Sequence, residues 1–132
     1  MDALPSQLAL RFEGGDGAPM RAIVAGEVDM AVAPTMQERI TAARREQHAT
    51  RVIMDLAGVE FIDSSGLRAV LHLHRELADE GGVLVLLQPS EDVQHVLALT
   101  GLDQHLNVAS DTEQATALLA GGGAAEEAGG AP

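Results

Sequence analysis

The sequence predicts an α/β fold, with helices packed on a mixed β-sheet. Residues 51–56 and 83–87 are short and rich in Val, Ile, Leu and Met, which is typical of buried strands. Helical periodicity between them ends near Asp79, so these segments form a right-handed βαβ unit with parallel strands. Alternating segments at 7–13 and 20–25 add an antiparallel pair with a short link. We therefore expect about four or five strands and about four helices.

The first helix is predicted from Pro34 to about His48, because Pro suits the first helical turn. It should bury Met36, Ile40, Ala43 and Gln47, and expose a charged face of Glu38, Arg39, Arg44, Arg45 and Glu46. The helix after residue 63 should bury a stripe of Leu67, Val70, Leu71, His74, Leu77 and Ala78.

Turn and cap residues place the other elements. Gly26-Glu27-Val28-Asp29 is predicted to leave the sheet after the second strand. Ser90 is a plausible cap for a third helix that Gly101 closes. A short edge strand at 106–108 and a last helix at 111–120 follow.

Composition limits the domain organisation and the partners. Residues 1–120 are expected to form one domain, and the Gly, Ala and Glu tail at 121–132 is expected to be disordered. Twenty acidic residues against 8 basic ones give a net charge of −12, which disfavours nucleic-acid binding. Cysteine is absent, no run of about 18 apolar residues spans a membrane, and no secretion signal is recognised. We expect a cytoplasmic protein.

The segment Asp63-Ser64-Ser65-Gly66 links a strand to a helix. Asp and Ser cap helix N-termini because their side-chain oxygens accept hydrogen bonds from the first backbone N–H groups. The sequence leaves Asp63, Ser64 and Ser65 as alternative caps. The positive end of the helix dipole suits an added negative group such as a phosphate.

Together with Gly26-Glu27-Val28-Asp29 and the flanking elements, the segment Val59 to Leu67 resembles the STAS domain family, over roughly residues 7–120. More narrowly, it resembles single-domain anti-anti-sigma factors, the antagonists of bacterial anti-sigma factors. This resemblance implies a STAS-like mixed sheet. It also implies that the second serine of the turn, here Ser65, is phosphorylated by a serine-kinase anti-sigma factor of the histidine-kinase-like ATPase fold.

In that family the unphosphorylated form binds the kinase and releases the sigma factor, and a metal-dependent serine/threonine phosphatase restores it. The resemblance thus implies a partner-binding surface of Gly26, Glu27, Asp29, Asp63, Ser64, Ser65, Gly66 and Arg68. Arg68 is a departure, because many family members have a small residue there. It lies three residues after Ser65, within reach of a phosphoserine.

Other functions have less support. His72 and His74 are too far along the helix to activate either serine, so no catalytic residue is assigned. No metal-ligand cluster or cofactor motif is recognised, and no glycine-rich phosphate loop supports a nucleotide-binding module. The main alternative is a non-phosphorylated STAS scaffold in a signalling or lipid-transport complex, since fold alone does not decide function.

Overall fold

The computed structural model describes residues 8–121. In this part of the chain, five strands form one sheet in the order β1-β2-β3-β4-β5. The strands are β1 (Leu8–Gly14), β2 (Met20–Val28), β3 (Arg51–Ile62), β4 (Val83–Leu87) and β5 (Asn107–Ala109). The helices are α1 (Ala33–Glu46), α2 (Ser64–Asp79), α3 (Glu91–Thr100) and α4 (Thr112–Ala120), with a 3₁₀ turn at Leu102–Gln104.

The sheet is mixed, as predicted. β1 is antiparallel to β2, and the pairs β2–β3, β3–β4 and β4–β5 are parallel. The predicted βαβ unit is therefore β3-α2-β4. Because the spatial order follows the chain order, every strand lies beside its neighbours in sequence.

Helices cover both faces of the sheet. Alternate residues of β4 point in opposite directions, so Leu84 and Leu86 join the main core with side chains of α1, α2 and α3. Val83, Val85 and Leu87 belong instead to a smaller cluster on the other face. Ala115 and Leu119 of α4 close that cluster.

Two strands are longer than predicted. β2 continues to Val28, so Gly26, Glu27 and Val28 remain in the sheet and only Asp29 leaves it. β3 continues to Ile62 instead of ending at residue 56. The two extensions pair with each other, with register irregularities between Ile23 and Ala25 and between Gly26 and Glu27. The irregular pairing keeps Gly26 in the sheet, although the sequence predicts that the chain leaves the sheet there.

The prediction for the charged face of α1 is wrong at Arg44. Its side chain is only 2% exposed, and it forms a two-pronged pair with Glu80, with Nη1–Oε1 at 3.0 Å and Nη2–Oε2 at 2.7 Å. Its Nη2 also lies 3.3 Å from Oε1 of Glu76. Two carboxylates, Glu76 in the last turns of α2 and Glu80 just after it, thus compensate the buried guanidinium. Ala43 and Gln47 are half-buried, and α1 ends at Glu46.

The apolar stripe of α2 is largely as predicted. Four of its predicted members are buried, namely Leu67, Val70, His74 and Leu77. The buried face is rotated from the predicted one. Ala69 and Leu73 are buried although they were not predicted, whereas Leu71 is half-buried and Ala78 is exposed. The difference arises because α2 packs against α1 as well as against β3 and β4.

The later elements agree closely with the sequence. Ser90 Oγ accepts a hydrogen bond from the Val93 N–H at 3.3 Å, and Gly101 ends α3 with φ of 76°. Asp111 caps α4. Within residues 8–121, none of the helices combines the length and the apolar character needed to cross a membrane. The predicted tail lies outside the described residues, apart from Gly121.

Candidate functional site

Asp63 is the cap of α2. Its backbone is extended, and its Oδ1 accepts hydrogen bonds from the N–H groups of Ser65 at 2.8 Å and Gly66 at 3.0 Å. Its carbonyl oxygen accepts the first helical bond, from the Leu67 N–H at 2.9 Å. The structure therefore selects Asp63 among the three alternatives, and Ser64 and Ser65 are the first two residues of the helix.

The two serine side chains differ in exposure. Ser64 is exposed and Ser65 is half-buried. Neither hydroxyl is hydrogen-bonded to another residue in the described part of the chain. A serine nucleophile needs a base within hydrogen-bond distance. The geometry here instead presents two unengaged hydroxyls at a helix N-terminus.

The Asp63 carboxylate already occupies two N–H groups of the first turn of α2. The sequence predicts that such donors are open to an added anion, but these two are already bonded to Asp63 Oδ1. A phosphate on Ser65 would share this helix end with a carboxylate, so the two negative groups would repel each other.

Gly66 is buried because the first turn of α2 lies directly against the sheet. A Cβ at this position would be 2.5 Å from Ile62 Cγ1 and 2.9 Å from the Val28 carbonyl oxygen. A side chain therefore requires the helix or the strand ends to move. Gly66 sets the distance between the serine turn and the ends of β2 and β3.

The second predicted segment, Gly26 to Asp29, lies beside the serine turn. Glu27 is in register with Phe61, Val28 with Ile62, and the Asp63 N–H donates to the Val28 carbonyl oxygen at 3.1 Å. The Asp29 side chain accepts hydrogen bonds from the N–H groups of Ala31 at 3.0 Å and Val32 at 3.3 Å, ahead of α1. The backbone thus brings the two segments together, and their role in partner binding stays a prediction.

Arg68 is exposed, one helical turn after Ser65. Within residues 8–121, its guanidinium forms no ion pair or hydrogen bond. Residues three apart on a helix share a face. The cation is therefore positioned on the side of α2 where a phosphate on Ser65 would be placed.

Two apolar residues of this region were not singled out from the sequence. Met30 is 75% exposed and Phe61 is 49% exposed. Simple alternation along β3 does not predict the exposure of Phe61, because Val59 and Ile62 both lie in the main core. The register shift between Gly26 and Glu27 places Phe61 on the outward face. Met30 gives no sequence signal either, because it lies in the connection between β2 and α1.

Other sites have little structural support in the described residues. No group of three or more His, Asp or Glu side chains in the range 8–121 is placed to hold a metal ion. His72 is exposed and His74 is buried in the α2 stripe. A depression of about 400 Å³ between the C-terminal half of β3 and the start of α3 is lined in part by Glu60, Glu91 and Asp92, and it includes neither Ser64 nor Ser65.

The chain belongs to the STAS domain family, whose sequence profile matches residues 22–115. It is 36% identical over 77 residues to the anti-sigma F factor antagonist of Lysinibacillus sphaericus, covering 58% of this chain and 66% of that protein. It is 32% identical over 98 residues to BtrV of Bordetella bronchiseptica, named as a candidate anti-sigma factor antagonist, covering 74% of this chain and 84% of BtrV.

A solved structure of the unphosphorylated anti-sigma factor antagonist SpoIIAA is 28% identical, with a TM-score of 0.67, covering 80% of this chain and 91% of that chain. The phosphorylated form of SpoIIAA, from Bacillus, gives a TM-score of 0.62 at 28% identity, covering 80% of this chain and 95% of that chain. These relatives are named for antagonising anti-sigma factors and not for a catalytic activity.

Proposed function

We propose that this protein is an anti-sigma factor antagonist controlled by phosphorylation of Ser65. Its unphosphorylated form binds a serine-kinase anti-sigma factor and so frees a sigma factor. The kinase then transfers a phosphate to the Ser65 hydroxyl, and a metal-dependent serine/threonine phosphatase removes it. The observation that carries the proposal is the unengaged Ser65 hydroxyl in the first turn of α2, in a chain similar to an antagonist solved in both phosphorylation states.

The switch follows from local electrostatics. A phosphate adds a charge of about −1.5 to −2 at neutral pH. It would lie in the turn capped by the Asp63 carboxylate, on a chain of net charge −12. Changing a 99:1 bound population to 1:99 needs roughly 5.5 kcal/mol of differential affinity. Repulsion and desolvation of a phosphate at an interface supply energies of this order.

The structure allows a sharp test of which serine is modified. Intact mass is measured before and after incubation with ATP and each serine-kinase anti-sigma factor of the source organism, one at a time. We expect wild type and Ser64→Ala to gain one phosphate and to lose affinity for the kinase. Ser65→Ala should gain none and should keep its affinity. Ser64→Ala is the matched control because it is the adjacent residue of the same helical turn.

Two results would contradict the proposal. A phosphate that persists in Ser65→Ala and disappears in Ser64→Ala would move the modification to the more exposed serine. A wild-type protein that binds the kinase but gains no phosphate would indicate a fixed STAS scaffold, the alternative that the fold permits.

A further inference from the structure

We infer that Met30 and Phe61 form an apolar anchor for the anti-sigma factor, and that Ser65 lies at the edge of this contact. The inference rests on the proposed function and names the part of the surface that holds the kinase. The described residues expose three large hydrophobic side chains, Met30 at 75%, Phe61 at 49% and Leu99 at 73%. Two of these three belong to the segments that adjoin the serine turn.

The backbone fixes where Phe61 points. It is in register with Glu27, while the next pair, Val28 and Ile62, belongs to the main core. Because successive side chains of a strand alternate, Phe61 and Glu27 share the face that points away from this core. Phe61 is therefore turned away from the main core, and its side chain is half-exposed.

Met30 is placed by the neighbouring connection. It follows Asp29, whose side chain holds the backbone of Ala31 and Val32 by hydrogen bonds. Two residues before Met30, the Val28 carbonyl oxygen accepts from the Asp63 N–H at 3.1 Å. Met30 is thus carried on a hydrogen-bonded turn directly beside the cap of α2.

The size of a typical protein interface indicates that the kinase that modifies Ser65 can also contact Phe61 and Met30. Phe61 is four residues from Ser65, so chain length limits their separation to about 14 Å. A typical protein interface covers about 800 Å² on each partner, equivalent to a disc of about 16 Å radius. A kinase that seats its active site on the Ser65 hydroxyl is therefore large enough to reach Phe61 and the adjacent Met30 turn. Aromatic and Met side chains are enriched in the energetically important part of such contacts.

The surrounding charges define the partner surface more closely. Glu27 and Glu60 are exposed beside Phe61. An apolar recess bordered by Arg or Lys side chains on the anti-sigma factor would complement this arrangement. The contact also explains the switch, because a phosphate at the edge of an apolar contact loses its hydration when the partner closes over it.

The experiment compares Phe61→Ser, Met30→Ser and Leu99→Ser by measuring affinity for the purified serine-kinase anti-sigma factor, without ATP. We expect Kd to rise about tenfold or more for Phe61→Ser and by about threefold to tenfold for Met30→Ser. Leu99→Ser should stay within about twofold, because Leu99 lies on α3 and outside both segments. Thermal unfolding of each variant establishes that it is folded, and Met30→Ser tests the anchor if Phe61→Ser is unstable.

The outcomes separate the two proposals. Wild-type protein that binds the kinase and is phosphorylated, with both folded variants binding within about twofold of it, overturns the anchor alone. An equal loss in Leu99→Ser also overturns it, since the effect is then not confined to the serine turn. Wild-type protein that neither binds a serine-kinase anti-sigma factor nor gains a phosphate overturns the proposed function and the anchor with it.

Discussion

Ser65 lies between two opposite charges on α2. Asp63 precedes it at the cap, and Arg68 follows it by one turn. The Asp63 carboxylate is engaged by two backbone N–H groups, whereas Arg68 forms no ion pair with the described residues. A phosphate on Ser65 would therefore be repelled from the cap and attracted along the helix. This contrast leads us to expect that Arg68 stabilises the doubly charged phosphate.

Arg68→Ala should shift the second ionisation of phosphoserine 65 to higher pH. A nearby cation favours the dianion, so its removal favours the monoanion. A surface pair of this kind contributes about 0.2–1 kcal/mol, which corresponds to about 0.2–0.7 pH unit. The measurement is a ³¹P NMR titration of the phosphorylated protein, and Arg75→Ala is the control, because Arg75 is also exposed on α2 but more than two turns away.

The pairing would be contradicted by equal titration midpoints in wild type and Arg68→Ala. Unchanged rates of phosphorylation and dephosphorylation, with unchanged partner affinity, would leave Arg68 as an ordinary exposed residue of the helix face.

At the scale of elements, a charged cluster joins the C-terminal parts of α1 and α2. Arg44 pairs with Glu80 and Glu76, and Arg45 Nη2 lies 3.0 Å from Glu76 Oε2. Thr41 also donates to Glu76, at 3.0 Å. The hydrogen bond from Arg44 lowers the pKa of the Glu80 carboxyl below its ordinary value. The same hydrogen bond raises the pKa of Arg44.

The cluster should make stability depend on pH. Because the folded-state pKa of Glu80 lies below its unfolded value of about 4.5, its contribution is complete above that pH and is lost as pH falls through the folded pKa. We expect wild type to resist urea better than Glu80→Gln at pH 7, with the difference shrinking below about pH 4.5. Asp79→Asn, a change at the adjacent exposed carboxylate, is the control.

A difference between wild type and Glu80→Gln that stays constant from pH 7 to pH 3 would contradict this assignment. It would show that the carboxylate charge does not contribute through Arg44. A loss of equal size in Asp79→Asn would point instead to general repulsion on an acidic chain.

The burial of Arg44 could not be predicted from the local sequence pattern, because it depends on ion-pair partners that are distant in sequence. Its neighbours Arg45 and Glu46 are exposed, and the sequence of α1 groups all three on one charged face. The two carboxylates that compensate Arg44 lie far along the chain, and Glu80, which pairs through both oxygens, is 36 residues later. The same limit applies to Gly26, which the sequence predicts to leave the sheet but which lies in the irregular pairing of β2 with β3.

At the scale of the whole molecule, the topology could be predicted because each strand pairs with the strand next to it in sequence. The βαβ unit follows from apolar periodicity, and Asp63 was among the residues able to cap α2. The candidate surface was predicted only in part. Polar and glycine residues in the two segments were identified, but the exposure of Phe61 depends on strand register and that of Met30 on a connection without periodicity.

Phosphorylation should leave the fold intact. α2 is held by Leu67, Val70, Leu73 and Leu77, which are buried along its length. Attraction to the helix dipole contributes about 0.3–1 kcal/mol, and repulsion from Asp63 opposes it. We therefore expect a Tm within about 4 °C of the unphosphorylated protein, measured by circular dichroism. Loss of cooperative unfolding after phosphorylation would show that the switch acts by melting α2.

The hydrogen bond between Asp63 and Val28 affects how a kinase can recognise the protein. It joins stretches of chain that are distant in sequence, so the surface around Ser65 is a discontinuous epitope. A linear peptide around Ser65 contains Asp63 but lacks Met30 and Glu27, and nothing in it holds the capped helical turn. If Ser65 is phosphorylated as proposed, a kinase that needs this epitope would modify only folded copies, and nascent or damaged chains would stay unmodified.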